Sequence, residues 1–437
     1  MSFVPIYILI LGFTIVVDYI SGIYISRNEG QKRKLYLIIS LISNISVLAV
    51  FKYYNFLNNN LTSFLHGFAY TNPIPYLSIL LPIGLSFHTF QAMSYSIEVY
   101  RGKQKPETHF GIFALYVMFY PQLVAGPIER PQNLLHQFYE KHYFNYSRVV
   151  EGLKLILWGF FKKLVIADRL AIYVNSVYNN VEHHNGTTLI LATIFFSFQI
   201  YCDFSGYADI AIGTAKVMGF DLMTNFKRPI FAKSTGEHWK RWHISLSSWF
   251  KDYLYFPMGG SRVSASRLYY NLMVVFVISG LWHGANWTYI IWGSINGVYV
   301  VLAIMTRKHW IKFNTFIRID KFPRLQLSYQ IIITFALITF SRIFFRANSL
   351  SDALLVIEKI FTETGRIFIE NPSVLIFCFL SILMLLFVEL KQEFYKGVFS
   401  FFSNDNLIVR YISYASLVMI ILIMGVFDGG QFIYFQF

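Results

Sequence analysis

The chain has 437 residues, of which 55% are hydrophobic, 19% aromatic and only 14% charged. Soluble domains carry about 25% charged residues, so this chain lacks the surface charge to stay in water. Its formal net charge of +14 does not imply nucleic acid, because Lys and Arg gather in short loops between apolar runs, the pattern of cytoplasmic loops in membrane proteins.

The first apolar segment, residues 4–25, is too long for the core of a signal peptide and has no basic stretch before it, so it is expected to remain as a spanning helix. Further spans are expected at 35–56, 76–98, 150–173, 187–203, 285–306, 329–346, 373–389 and 409–427. Shorter apolar pieces at 110–125, 204–219 and 268–282 read as re-entrant or half-length. Loop charge sets the orientation. Residues 27–34 (RNEGQKRK), 101–109 (RGKQKPETH), 227–267, 307–324 and 391–410 carry the basic residues and belong in the cytoplasm. Residues 55–75 contain no Lys, Arg, Asp or Glu, and residues 174–188 contain no Lys or Arg, so both face outward. The N- and C-termini are then both extracytoplasmic, in the cell (plasma or inner) membrane.

Residues 110–125 break this alternation, since the stretches on both sides look cytoplasmic. Pro121, Gly126 and Pro127 interrupt the piece. Irregular backbone at membrane depth is tolerated where it is buried in protein or lines a cavity, which predicts a water-accessible interior. There is no internal repeat or low-complexity linker, so residues 1–437 read as one integral domain of all-α, polytopic architecture. Cys202 and Cys378 lie in or beside apolar segments without metal-ligand spacing and read as small buried apolar residues. No metal site is expected.

Two histidines stand out, because ionisable groups inside a bilayer are costly and mark sites or pathways. In residues 233–260 (KSTGEHWKRWHISLSSWFKDYLYFPMGG), Trp239, Trp242, Leu246, Phe250 and Tyr253 share one stripe at helical periodicity. His243 falls within that stripe, while Lys240, Arg241, Lys251 and Asp252 face away. His283 lies between Gly280 and Gly284, flanked by Trp282 and Trp287. Small residues at that spacing let another backbone or a ligand approach closely. A general base works best with a pKa near neutrality, and imidazole is the side chain that has one unperturbed. No Ser or Cys beside either histidine forms a nucleophile motif, so a general base fits better than a covalent serine intermediate. A transporter with the histidines in a proton path is the alternative from another class.

These blocks, together with residues 81–102, 121–130 and 203–226, resemble the membrane-bound O-acyltransferase family from about residue 80 to 305. The likeness is greatest to its bacterial alginate O-acetylation subfamily, which is related to the teichoic acid D-alanylation membrane protein. The resemblance implies about 9–11 transmembrane helices with re-entrant pieces around a central tunnel. It identifies His283 with the near-invariant family histidine and His243 with the second polar position. Trp239, Trp242, Trp282 and Asn286 would line the tunnel, and Lys240 and Arg241 would attract the phosphates of a donor. The implied activity is transfer of an acyl group, acetyl before D-alanyl, from a cytoplasmic thioester to an extracellular polysaccharide. No tightly bound cofactor is implied; acetyl-CoA or an acyl carrier thioester is the donor substrate. Membrane lipids and an extracytoplasmic SGNH-type acyltransferase or esterase are the expected partners. His88 has no counterpart, and Asp203 and Asp209 read as structural.

Residues 428–437 form an aromatic tail that is expected to dock on or in the protein rather than stay disordered. Residues 432–437 (FIYFQF) resemble the Phe-Ile-Tyr-x-x-Phe motif of alginate-type members. A similar motif ends the small peptide of the D-alanylation system, where the tyrosine is implicated as an acyl carrier. Tyr434 is the corresponding candidate here.

Overall fold

The computed structural model describes residues 7–78, 82, 84–395, 406–427 and 432. The described residues form helices and connecting loops, without a strand. Seven helices are long and apolar enough to cross a membrane: Tyr7–Arg27, Gly30–His66, Gly186–Met218, Trp287–Met305, Pro323–Arg346, Pro372–Phe394 and Leu407–Met424. The contacts divide the chain into two compact units, residues 1–153 with 211–223 and residues 154–210 with 224–437.

In the first unit, Tyr7–Arg27 and Gly30–Leu48 form an antiparallel hairpin against Leu85–Tyr100. Asp18 is fully buried at their centre. It accepts hydrogen bonds from Ser40 Oγ at 2.5 Å, Asn44 Nδ2 at 2.8 Å and Ser96 Oγ at 3.4 Å, so one carboxyl ties three helices together. An unsatisfied polar group in an apolar interior is costly, and here each bond to Asp18 satisfies two such groups. The 110–125 piece is interrupted as expected: a helix over Phe110–Met118 gives way to turns before Gly126. Gly84 sits opposite these turns at φ +79°, and a Cβ there would press on the Leu123 carbonyl oxygen.

In the second unit, the expected span at 150–173 continues without a break from helix through a π-helical stretch, Phe161–Ala167, into Asp168–Tyr178. Its polar side chains are absorbed locally. Lys162 pairs with Asp209 at 2.6 Å, and Lys163 pairs with both Asp168 and Asp203 at 2.7 Å. Gly159 and Gly206 let the two backbones meet, since a Cβ on either would contact the other's carbonyl oxygen. Asp203 and Asp209 therefore tie their helix to the lysines of its neighbour. Cys202 and Cys378 are buried free thiols. The two pieces expected at 187–203 and 204–219 are one helix of 33 residues, Gly186–Met218.

The expected half-length piece at 268–282 is a 19-residue helix, Ala265–His283, which forms a tight hairpin with Trp287–Met305. Glycine sets the closeness of that hairpin. A Cβ at Gly280 would strike the Tyr289 carbonyl oxygen, and one at Gly293 would strike the Phe276 carbonyl oxygen. His283 ends the first of these helices, so this packing fixes its height and direction.

The stretch 233–260 departs from expectation, because it is not one amphipathic helix. Helix Thr235–Arg241 ends at Trp242, and helix Ile244–Phe250 starts afresh after His243. His243 itself has φ +43° and ψ 56°, left-handed backbone that a continuous helix excludes. Asn225 holds the break. Its carbonyl oxygen accepts from Ile244 N at 2.9 Å, and its side-chain oxygen accepts from Ser245 N at 3.1 Å and Ser245 Oγ at 2.9 Å. The first helix begins at Ser234, whose hydroxyl accepts from Glu237 N, while the Glu237 carboxylate accepts from Lys233 N at 2.9 Å.

Candidate active site

His283 is 4% exposed and ringed by aromatic side chains. Its imidazole lies 5.0 Å from Trp282, 5.0 Å from Trp292 and 5.4 Å from Phe345, centre to centre and edge to face. A narrow slot lies beside it, lined by Ile200, His238, Trp239, Trp242, Trp292 and Arg342 among others. A second slot shares His238, Trp242, Ile338 and Arg342 with the first and is also lined by Tyr201, Pro229 and Thr334. Pro229 is next in sequence to Arg228. Arg228 and Arg241 both pair with Glu393, at 2.8 Å each, and Arg241 also pairs with Glu237 at 2.7 Å.

His243 is 1% exposed, with Nδ1 at 3.3 Å from Asn225 Oδ1. Trp282 stands between the two histidines, at 6.1 Å from the His243 ring and 5.0 Å from that of His283. Burial first, and then the neighbouring His283, hold the His243 imidazole well below its ordinary pKa, so it is neutral and carries a lone pair at one nitrogen. The left-handed backbone at His243 is the kind of local strain that a tightly packed functional site sustains.

Of the residues singled out from sequence, His283, Trp239 and Trp242 meet around one cavity. Trp282 lies behind, against both imidazoles. Asn286 caps the Trp287–Met305 helix by accepting from Thr288 N at 3.0 Å. Lys240 is exposed, and Arg241 has its charge balanced by two carboxylates. Tyr434 lies outside the described residues. Of the tail expected to dock, Phe432 is described, and it is buried against Tyr207 at 5.0 Å and Phe204 at 6.1 Å. Phe204 in turn stands edge to face with His243 at 4.5 Å.

Sequence reasoning passed over His238, Trp292, Arg342 and Phe345. Arg342 left a readable signal, a cation in the middle of an apolar span. Its guanidinium lies over the Trp242 ring at 4.7 Å and donates to the Ser197 carbonyl at 3.1 Å. Among the described residues no three His, Cys, Asp or Glu side chains gather as metal ligands.

The site is a buried imidazole beside a narrow aromatic slot, in a chain whose described residues are helices and loops. The profile described as "MBOAT, membrane-bound O-acyltransferase family" matches residues 62–347, and the chain belongs to that family. A probable alginate O-acetylase of Pseudomonas aeruginosa is 37% identical over 359 residues, covering 82% of this chain and 66% of the relative. A peptidoglycan O-acetyltransferase of Helicobacter pylori is 34% identical, covering 94% of this chain and 76% of the relative. A teichoic acid D-alanyltransferase of Streptococcus thermophilus is 28% identical over 52% of this chain and 57% of the relative. The chain spans just under two thirds of its alginate-type relatives, 66% of that from P. aeruginosa and 62% of that from Azotobacter vinelandii. Family membership and the seven apolar helices make it a multi-pass membrane protein.

Proposed function

We propose that the chain is the membrane subunit of a polysaccharide O-acylation system, transferring an acetyl group from a cytoplasmic thioester donor toward the outer face. One observation carries the reading: His283 lines an aromatic slot that shares His238, Trp242, Ile338 and Arg342 with a second slot reaching Pro229. In this reading the donor thioester enters from the cytoplasm and its carbonyl carbon reaches His283. The imidazole takes the proton of the attacking hydroxyl, a new C–O bond forms, and the C–S bond breaks. The departing thiolate takes the proton back from the imidazolium, so the base is regenerated. Acetyl is favoured over D-alanyl because the relatives named as acetylases are the more similar and cover more of the chain. The test is full-length protein in lipid vesicles, given labelled acetyl thioester on one face. Release of free thiol coupled to label on a polysaccharide in the presence of an SGNH-type partner is the expected result. Label crossing the vesicle wall without thioester cleavage favours a transporter instead.

Two residues carry further expectations in this reading. His243→Ala is expected to slow transfer by about tenfold to a hundredfold, less than a positioned base contributes, because His243 is buried beside Phe204 and Trp282 rather than on the cavity wall. An unchanged rate of thiol release assigns it to packing alone. Tyr434 is the proposed acyl carrier, since a phenol becomes a competent nucleophile when an imidazole removes its proton. Tyr434→Phe keeps the ring and loses the hydroxyl. Glycan acetylation in cells is expected to fall to background, and normal acetylation makes the residue an anchor.

A further inference from the structure

His238 has no role in the reaction as described so far, yet it is the imidazole that walls both cavities. Its side chain is 95% withdrawn from solvent, being 5% exposed. Nδ1 lies 3.2 Å from the Pro229 carbonyl oxygen. A carbonyl can only accept, so Nδ1 carries the hydrogen and the neutral ring keeps its lone pair on Nε2. Burial, with the Arg342 guanidinium as a lesser cause, pushes its pKa down to about 3, so that neutral tautomer persists across the physiological range. Nε2 is buried and has no hydrogen-bond partner among the described residues.

Trp239, next in the chain, repeats the pattern with opposite polarity. Its Nε1–H is buried and also lacks a partner among the described residues, and Trp239 lines the cavity that reaches His283. The two rings stand edge to face at 5.3 Å. Buried polar atoms are nearly always paired, so an acceptor on His238 and a donor on Trp239, two side chains that line one slot, point to a ligand that supplies the missing partners. An unbranched chain carrying secondary amides offers both an N–H and a C=O. Trp242, stacked with His238 at 5.7 Å and an 18° tilt, flattens the wall against which such a planar group lies.

Resting on the acyl-transfer reading above, we propose that His238 is a positioning residue for the donor: its Nε2 accepts a hydrogen bond from an amide N–H of the thioester arm while Trp239 Nε1–H donates to an amide oxygen. The pantetheine-type arm shared by coenzyme A and acyl carrier proteins has that chemistry, with its nearest amide nitrogen two methylenes from the sulfur. Anchoring the amide at His238 holds the thioester carbon further along the same slot, toward His283.

The test measures binding of non-reactive ketone analogues of the acetylated arm to full-length protein in detergent. One analogue has free amides and the others are N-methylated at either amide. Wild type is expected to lose about tenfold in affinity on methylation of one of them, the value of one buried hydrogen bond. His238→Phe keeps the flat ring and is expected to bind the unmethylated analogue about tenfold more weakly and to be indifferent to methylation. His238→Gln, which retains an acceptor, is expected to recover part of the difference. Equal affinity of wild type and His238→Phe overturns the proposal, as does an equal methylation penalty in both. The methylated ligands test wild type alone, so the result survives a variant that fails to fold. Carrying the analogue on coenzyme A or on an acyl carrier protein separates the two sources, the tighter one being the donor. If wild type binds no analogue on either, the thioester-donor reading has failed. If it binds them and ignores the change at 238, only the role of His238 has failed.

Discussion

His283→Ala is expected to reduce thiol release from the acetyl thioester by about 10² to 10⁴, the contribution of a positioned general base. The imidazole is surrounded by Trp282, Trp292 and Phe345 and reaches the cavity from the end of its helix. His238 lines the same slot, and its proposed part is to hold the donor arm rather than to take the proton. The helix that carries His283 is held by the Gly280–Tyr289 and Gly293–Phe276 contacts, which the substitution leaves intact. Full-length yield and gel-filtration behaviour in detergent should therefore stay close to wild type. His283→Gln, which refills more of the space, should lose as much activity, and so separates loss of a base from loss of packing. Activity of either variant within about twofold of wild type removes His283 from the chemistry.

Much of the architecture was legible in the sequence because hydropathy reports what lipid requires. The expected spans at 4–25, 285–306, 329–346, 373–389 and 409–427 each match a helix to within six residues at either limit. Span boundaries were least legible where polar atoms are satisfied inside the protein. Residues 187–219 read as two pieces because Asp203 and Asp209 interrupt the apolar run, yet both are paired with lysines and the helix runs through. The break at His243 was invisible to periodicity, since the stripe Trp239, Trp242, Leu246, Phe250 is compatible with one helix. What breaks it is Asn225, 18 positions upstream, whose side chain and carbonyl bind the turn. At the site, His283 and the Trp239–Trp242 pair were readable from their motifs. His238 was not, because a lone imidazole among aromatics looks like packing until it is seen to line both slots. Arg342 carried a signal in the sequence, as a cation in an apolar span, but only the fold sets it over Trp242.

Lys162→Met is expected to destabilise the protein by at most about 3–5 kcal/mol, because it leaves a carboxylate that is only 19% exposed without its cation. Lys162 is 5% exposed; its ammonium reaches Asp209 Oδ2 at 2.6 Å and Ser205 Oγ at 3.2 Å, and lies over the rings of Trp158 and Tyr201. These contacts join the π-helical stretch Phe161–Ala167 to the long Gly186–Met218 helix at the level where Gly159 and Gly206 touch. Tyr201 also borders the second cavity and donates to Glu389, so loosening the pair disturbs the cavity wall as well as the helix contact. Asp209→Leu alone should be damaging for the same reason with the charges reversed, since it strands the ammonium. The double variant Lys162→Met/Asp209→Leu removes both charges, and a buried pair replaced by apolar side chains of similar size is often neutral. Thermal unfolding in detergent is therefore expected to show two low-melting single variants and a double variant that recovers most of the loss. If the two single effects simply add, the pair is not the joint that holds these helices, and the neighbouring Gly159–Gly206 contact carries the junction alone.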